Sequence, residues 1–217
     1  MSNTPYVPAG SKIFIQSAAS TSQSITEITA TNPPVVTLGT SAVADGDYVA
    51  ITNVNGMTQF EDALLKAANV NASAKTFEAK NQDATGFPDF LSGSAQVITL
   101  GTELTCASGF SMSGGEQQFA EYQLLWDKMK RKVPTTQNSV SIDIPVIWDP
   151  FNAALIAVRK AADTGAKLGF KVVFPNGTEI LFFGYIGASG LPSAQNANEV
   201  MTSSISITMA SKPRYCN

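Results

Sequence analysis

Along residues 139–148, Val140, Ile142, Ile144 and Val146 are separated by Ser141, Asp143 and Pro145. That is the period of a strand with one buried face. Pro145 brings no N–H to a ladder, which suits an edge position. The period then lengthens: Phe151, Leu155, Val158 and Ala162 share one stripe of a helix predicted over 150–162. Asp149 is its expected cap, with Pro150 in the first turn, where an N–H is not needed. Arg159 and Lys160 suit the carboxyl end of the dipole, and Gly165 ends the helix. A hairpin over 168–187 is expected to turn at Asn176-Gly177, a pair suited to a two-residue turn with positive φ. A closing strand over 199–209 puts Thr202, Ser204, Ser206 and Thr208 on one face. Met201, Ser203, Ile205, Ile207 and Met209 lie on the other, expected to pack under the helix. One helix laid on a β-sandwich accounts for this stretch.

The first half has a different texture. Residues 1–11, with two prolines and a glycine, read as an extended arm, and 12–16 as a short strand. After a polar loop and an imperfect alternation over 24–30 comes a break at Asn32-Pro33-Pro34. From 34 to 90 the chain reads as short β segments with tight turns: 35–38, 48–54, 64–70 and 76–80. Phe60, Leu64 and Ala67 also share a helical face, but the flanking β segments and Asn69 and Asn71 favour strand. Strand texture returns at 93–110, whereas 111–138 has no clean period. The expected division is a core of 1–33 and 91–217 and an inserted small β-rich module of 34–90.

Phe170-Lys171-Val172-Val173-Phe174-Pro175-Asn176-Gly177-Thr178, followed in order by Phe183-Gly184-Tyr185-Ile186, Glu199-Val200-Met201 and Lys212-Pro213-Arg214, resembles the end of the tube domain in major tail tube proteins of long, non-contractile (siphophage) tails. The close likeness covers roughly a quarter to a third of the chain. The resemblance implies a mainly β tail-tube sandwich with one packed helix, assembling with itself into hexameric rings that stack into a conduit through which duplex DNA passes. It implies tape-measure, tail terminator and distal tail proteins as partners, a place in the virion tail, and assembly in the host cytoplasm. It also implies that 111–138 is the long loop that reaches the adjacent ring. Phe119, Tyr122 and Trp126 would be its anchors, and Lys128, Lys130, Arg131 and Lys132 would meet carboxylates there. A short amphipathic helix with a solvated basic end is the alternative for this segment. Thr202, Ser204, Ser206 and Thr208 are the expected channel face. A tail terminator or tube-initiating protein of similar fold is the alternative function. Ala44-Asp45-Gly46-Asp47-Tyr48-Val49 and Val54-Asn55-Gly56-Met57-Thr58 resemble small β-barrel inserts of phage virion proteins, which puts the module on the outer wall.

Composition narrows the chemistry. Only 14% of residues are charged, and a net charge of −3 with pI near 4.9 gives no basic footprint for gripping nucleic acid. Residues 1–100 hold four Lys and Arg against eight Asp and Glu, and residues 101–217 hold ten against nine. There is no histidine, which removes Ser-His-Asp and Cys-His nucleophiles and the commonest metal ligand. Glu61-Asp62 and Cys106 make no catalytic set, and Asp45-Gly46-Asp47 reads as a turn rather than a calcium loop. No enzyme activity, cofactor or metal is expected. Cys106 and Cys216 are expected to be free thiols. No apolar run approaches the roughly 20 residues of a membrane helix, no secretory signal is visible, and no membrane partner is expected.

Overall fold

The computed structural model describes residues 9–40, 42–188, 190–193 and 199–217; most of the expected amino-terminal arm lies outside them. The chain is mainly β with one α-helix. Strands β1 (Lys12–Ile15) and β2 (Ala18–Ala19) lead into β3 (Gln23–Ile28), β4 (Val35–Leu38), β5 (Tyr48–Asn55), β6 (Ala63–Asn71), β7 (Thr76–Ala79) and β8 (Ser92–Thr99). There follow β9 (Thr102–Glu103), β10 (Ser111–Gly114), a hairpin of β11 (Gln117–Tyr122) and β12 (Arg131–Gln137), and β13 (Val140–Ile147). Helix α1 (Ala153–Thr164) and strands β14 (Lys167–Val173), β15 (Glu179–Ala188), β16 (Thr202–Met209) and β17 (Arg214–Cys216) complete the chain.

The carboxyl half forms one sheet in the order β10-β13-β16-β15-β14-β1-β9, with β17 also on β15. Ile13 of β1 and Ile142 of β13 line one cavity although three strands stand between theirs. In a flat sheet they would be roughly 19 Å apart at about 4.8 Å per strand, so the sheet curls into a sandwich. Its inner face carries Ile144, Val146, Phe170, Phe182, Ile205 and Ile207, covered by Leu155, Val158 and Ala161 of α1. The closing strand thus turns its apolar face under the helix, as expected. The helix begins later than the pattern predicts. Asn152, not Asp149, is its cap, accepting from the Ala154 and Leu155 amides, while Asp149 accepts from Phe151 N in the turn before it. Phe151 consequently stays outside the stripe and is 87% exposed. Gly165 ends the helix in the left-handed conformation, φ 63°. The β14–β15 hairpin does not use a two-residue turn. Gly177 N donates to Phe174 O, Phe174 N donates to Thr178 O, and only Gly177 takes positive φ, which is a three-residue loop with Pro175 in its first corner. Nor is β13 an edge: Pro145 lies between the last β10 pair at Asp143 and a bridge from Ala107 to Val146.

Strands β8-β3-β4-β7-β6-β5 close on themselves, because β5 also pairs with β8. The result is a six-stranded barrel filled by Val36, Val49, Ile51, Phe60, Leu65 and Phe77. Strands on both sides of the expected 34–90 module belong to this barrel, so its limits lie near 18 and 99. The break at Asn32-Pro33-Pro34 is the turn of the β3–β4 hairpin, closed by Thr29 N to Val35 O at 3.0 Å. Residues 63–71 are strand, and both faces are buried: Leu65 points into the barrel and Leu64 toward the sandwich. Two-sided burial removes the alternation, which is why a helical face is visible there.

The barrel is clamped to the sandwich. Leu64, Ala50, Ile98 and Leu100 meet Leu181, Phe183 and Cys216. Beside them Lys66 Nζ lies 2.8 Å from Glu179, Tyr48 donates to the same carboxylate, and Lys171 Nζ sits 4.5 Å above the Phe14 ring. Burial, then the Glu179 charge, raises the Tyr48 hydroxyl well above its ordinary pKa, and burial lowers Lys171. Lys167 pairs with Asp62 across the same seam. Removing one member of a mostly buried ion pair strands the other. Glu179→Ala should therefore lower stability in urea unfolding by about 3 kcal/mol, with a smaller loss for Glu179→Leu combined with Lys66→Met.

Candidate functional site

Between β10 and β13 the chain leaves the sandwich. Gly114 and Gly115 both take positive φ, 87° and 81°, and a Cβ on Gly114 would collide with the Ser139 carbonyl oxygen. These two glycines turn the chain outward. Gln137 Nε2 to Gly115 O at 2.7 Å and Asn138 N to Glu116 O at 3.0 Å fasten the root. Beyond it β11 and β12 pair only with each other, and every residue of both is exposed. Of residues 111–138, the first four are β10 of the sandwich and 115–138 form a projecting β-hairpin; the amphipathic-helix alternative is overturned. The segment lacks a sequence period because neither of its faces is buried.

The register distributes the expected anchors. Phe119 is opposite Pro134 and Glu121 opposite Lys132, so Phe119 and Glu121 share one face; Tyr122, opposite Arg131, lies on the other with Ala120 and Val133. Trp126, 77% exposed, stands at the tip beside Leu125, which is wholly exposed, in a turn closed by Asp127 N to Leu124 O at 2.9 Å. Asp127 organises this tip. It accepts from Met129 N and Arg131 Nε, while its carbonyl accepts from Gln123. Lys132 and Lys130 flank Glu121 at 3.0 and 3.9 Å, so three of the four basic residues already have carboxylate neighbours within the arm. Lys128 lies in the bend after Asp127. Leu125 and Met129 complete the apolar tip and were missing from the expected anchors. Their signal was a Leu-Leu-Trp run in a segment with no core-facing period.

The hydroxyl row is on the outer face of the sandwich. Thr208 is opposite Ser141 and Tyr185, Ser206 opposite Asp143 and Gly187, Ser204 opposite Pro145, and Thr202 opposite Ile147. Ser111 and Ser113 extend it on β10, opposite Asp143 and Ser141. The patch is nearly neutral, with Asp143 its charged member. Among the described residues no three His, Cys, Asp or Glu gather to hold a metal, and no helix is long and apolar enough to cross a membrane. Cys106 and Cys216 are free, and burial raises both thiols above their ordinary pKa.

Residues 55–216 match the family model of the phage tail tube protein, TTP. The chain belongs to the phage tail tube protein family. It is a structural component of the phage tail tube and not an enzyme. No curated protein matches it. The family match begins at the end of β5 and takes in β6 to β8 of the barrel, the arm and the sandwich from β9 onward. As a tail tube component the protein self-assembles, and the arm is the surface least satisfied by its own chain. Aromatic anchors carry more of a contact than exposed ion pairs, which contribute about 0 to 1 kcal/mol each. If the arm joins subunits, Trp126→Ala should slow tube growth, followed by light scattering, far more than Lys130→Ala does; equal effects would take Trp126 out of such a contact.

Proposed function

We propose that six copies close into a ring, that rings stack through the 111–138 arm, and that the tube so formed is the conduit for DNA ejection in a long, non-contractile tail. The observation that carries this reading is the arm itself. A lone two-stranded hairpin is at best marginal in water, and this one leaves Leu125, Trp126 and Met129 largely exposed. A second copy supplies the missing cover. The sandwich supports ring closure: its sheet is open, ending in β10 and β9, and joining such edges around a ring satisfies their amides. The tube grows in the host cytoplasm alongside tape-measure, terminator and distal tail proteins. Symmetry analysis of electron micrographs of assembled tubes should give six subunits per ring; another order would reject the hexamer, and a single closed ring without growth would favour a capping protein of similar fold.

We assign the hydroxyl face of β10, β13 and β16 to the channel. Duplex DNA carries one negative charge per about 1.7 Å, so a basic lining would hold it and a neutral one lets it slide. Ser204→Arg is the informative change, since Ser204 faces Pro145 whereas Ser206 faces Asp143, which would neutralise an added cation. Tubes should still form and DNA ejection should slow severalfold; unchanged ejection kinetics would remove this face from the channel.

The barrel is assigned to the outer wall. It is closed and offers no edge to a ring, and residues 18–99 hold eight Asp and Glu against three Lys, a negative surface that keeps tubes apart. It meets β15 at Leu181 and Phe183, toward the start of that strand, whereas the hydroxyl row meets β15 farther along, at Tyr185 and Gly187. Its neck is narrow, with Ser17 N donating to Thr99 O at 2.8 Å. Joining Ser17 to Gly101, with Leu181→Ser and Phe183→Thr to keep the uncovered seam wettable, should give narrower tubes of unchanged channel diameter. Loss of all assembly would make the barrel part of the ring.

A further inference from the structure

The sandwich core is not sealed at one end. Ile13, Ile142, Val172 and Phe182 line an apolar cleft of about 90 Å³. Its exposed rim is Phe110, Met112 and Tyr215, with Phe110 set edge-on to Phe174 at 6.3 Å. An apolar space of this size gives a water no polar partners to hold it and suits a single aliphatic side chain. The same chain carries the matching shape at the arm tip, where Leu125 and Trp126 occupy the outer corners of a tight turn.

The geometry points to a knob and socket between copies: the Leu124–Asp127 turn of one subunit seats Leu125 in the cleft of another, with Trp126 across the rim at Met112 and Tyr215. This rests on the proposed stacking role of the arm and names the surface that receives it. Three considerations favour a second copy over any other occupant. The first is reach. From Gly114 to Leu125 the arm spans roughly 30 to 35 Å at about 3.3 Å per residue, and a domain of this length is roughly 40 Å across. Met112 lies two residues before the arm leaves the sheet, so tip and cleft are about one subunit thickness apart. The second is that β11 and β12 are paired along their length, which holds the tip away from its own cleft. A contact between tip and cleft is therefore heterologous and repeats without closing, as a growing stack requires. The third is area, since stable interfaces use about 20 to 30 residues a side and residues 115–138 provide that number in an arm whose strands are exposed throughout.

The test joins the two surfaces covalently. In a background carrying Cys106→Ser and Cys216→Ser, Leu125→Cys with Met112→Cys, assembled and treated with diamide, should give a ladder of disulfide-linked oligomers on a non-reducing gel, and neither single variant in that background should. Tubes without a ladder would overturn the socket and leave the stacking role intact, whereas wild-type protein that forms no tubes would overturn the stacking role itself. If the double variant fails to assemble, hydrogen exchange in wild-type tubes against dissociated subunits decides. At least tenfold slower exchange at both 110–113 and 123–130 is expected, and slowing at the tip alone would place the socket elsewhere.

Discussion

Strand β15 separates two apolar cores. Phe182 and Ile186 enter the one beneath α1, and Leu181 and Phe183 enter the one shared with the barrel. A strand buried on both sides has no tolerance for a slip of register, since moving one residue exchanges its two sets of side chains. Gly184 shows how tight the fit is: a Cβ there would strike Ile207 of β16. Both neighbours of β15, the order of the sandwich and the seat of the barrel follow from this one strand. The polar clamp around Glu179 sits at its start, so the charge pairs and the apolar seam are fixed by the same few residues.

Much of the sandwich was legible because its strands have one buried face. The alternations in 140–147 and 202–209 survive intact in the fold, and the helix stripe was correct at Leu155 and Val158. Where two residues offer the same chemistry, the pattern alone does not choose. Asp149 and Asn152 are both good caps three positions apart, and the helix takes the second. The barrel boundaries were misread for a different reason. Pro33-Pro34 marks a turn, and a turn within a hairpin and a boundary between units carry the same local signal. Only the pairing of β3 with β8, Gln23 opposite Ala95 and Ile25 opposite Gly93, distinguishes them, and that pairing is long-range.

The arm was the least legible element, and its exposure explains why. Periodicity reports which side of an element meets a core, and this hairpin meets none within its own subunit. What remained readable was its content: aromatic and aliphatic residues in a segment without period, next to a pair of glycines. With Phe119 and Tyr122 on opposite faces, a partner approaching one side of the arm meets only one of these two rings.

A hairpin that is marginal alone and covered by a second copy has no fixed stability of its own. Its folding free energy carries a mass-action term, small when subunits are dilute and larger as their concentration rises. On the proposed stacking role the arm is a concentration gauge, paired but poorly held in a scattered population of subunits and locked where a neighbour is already in place.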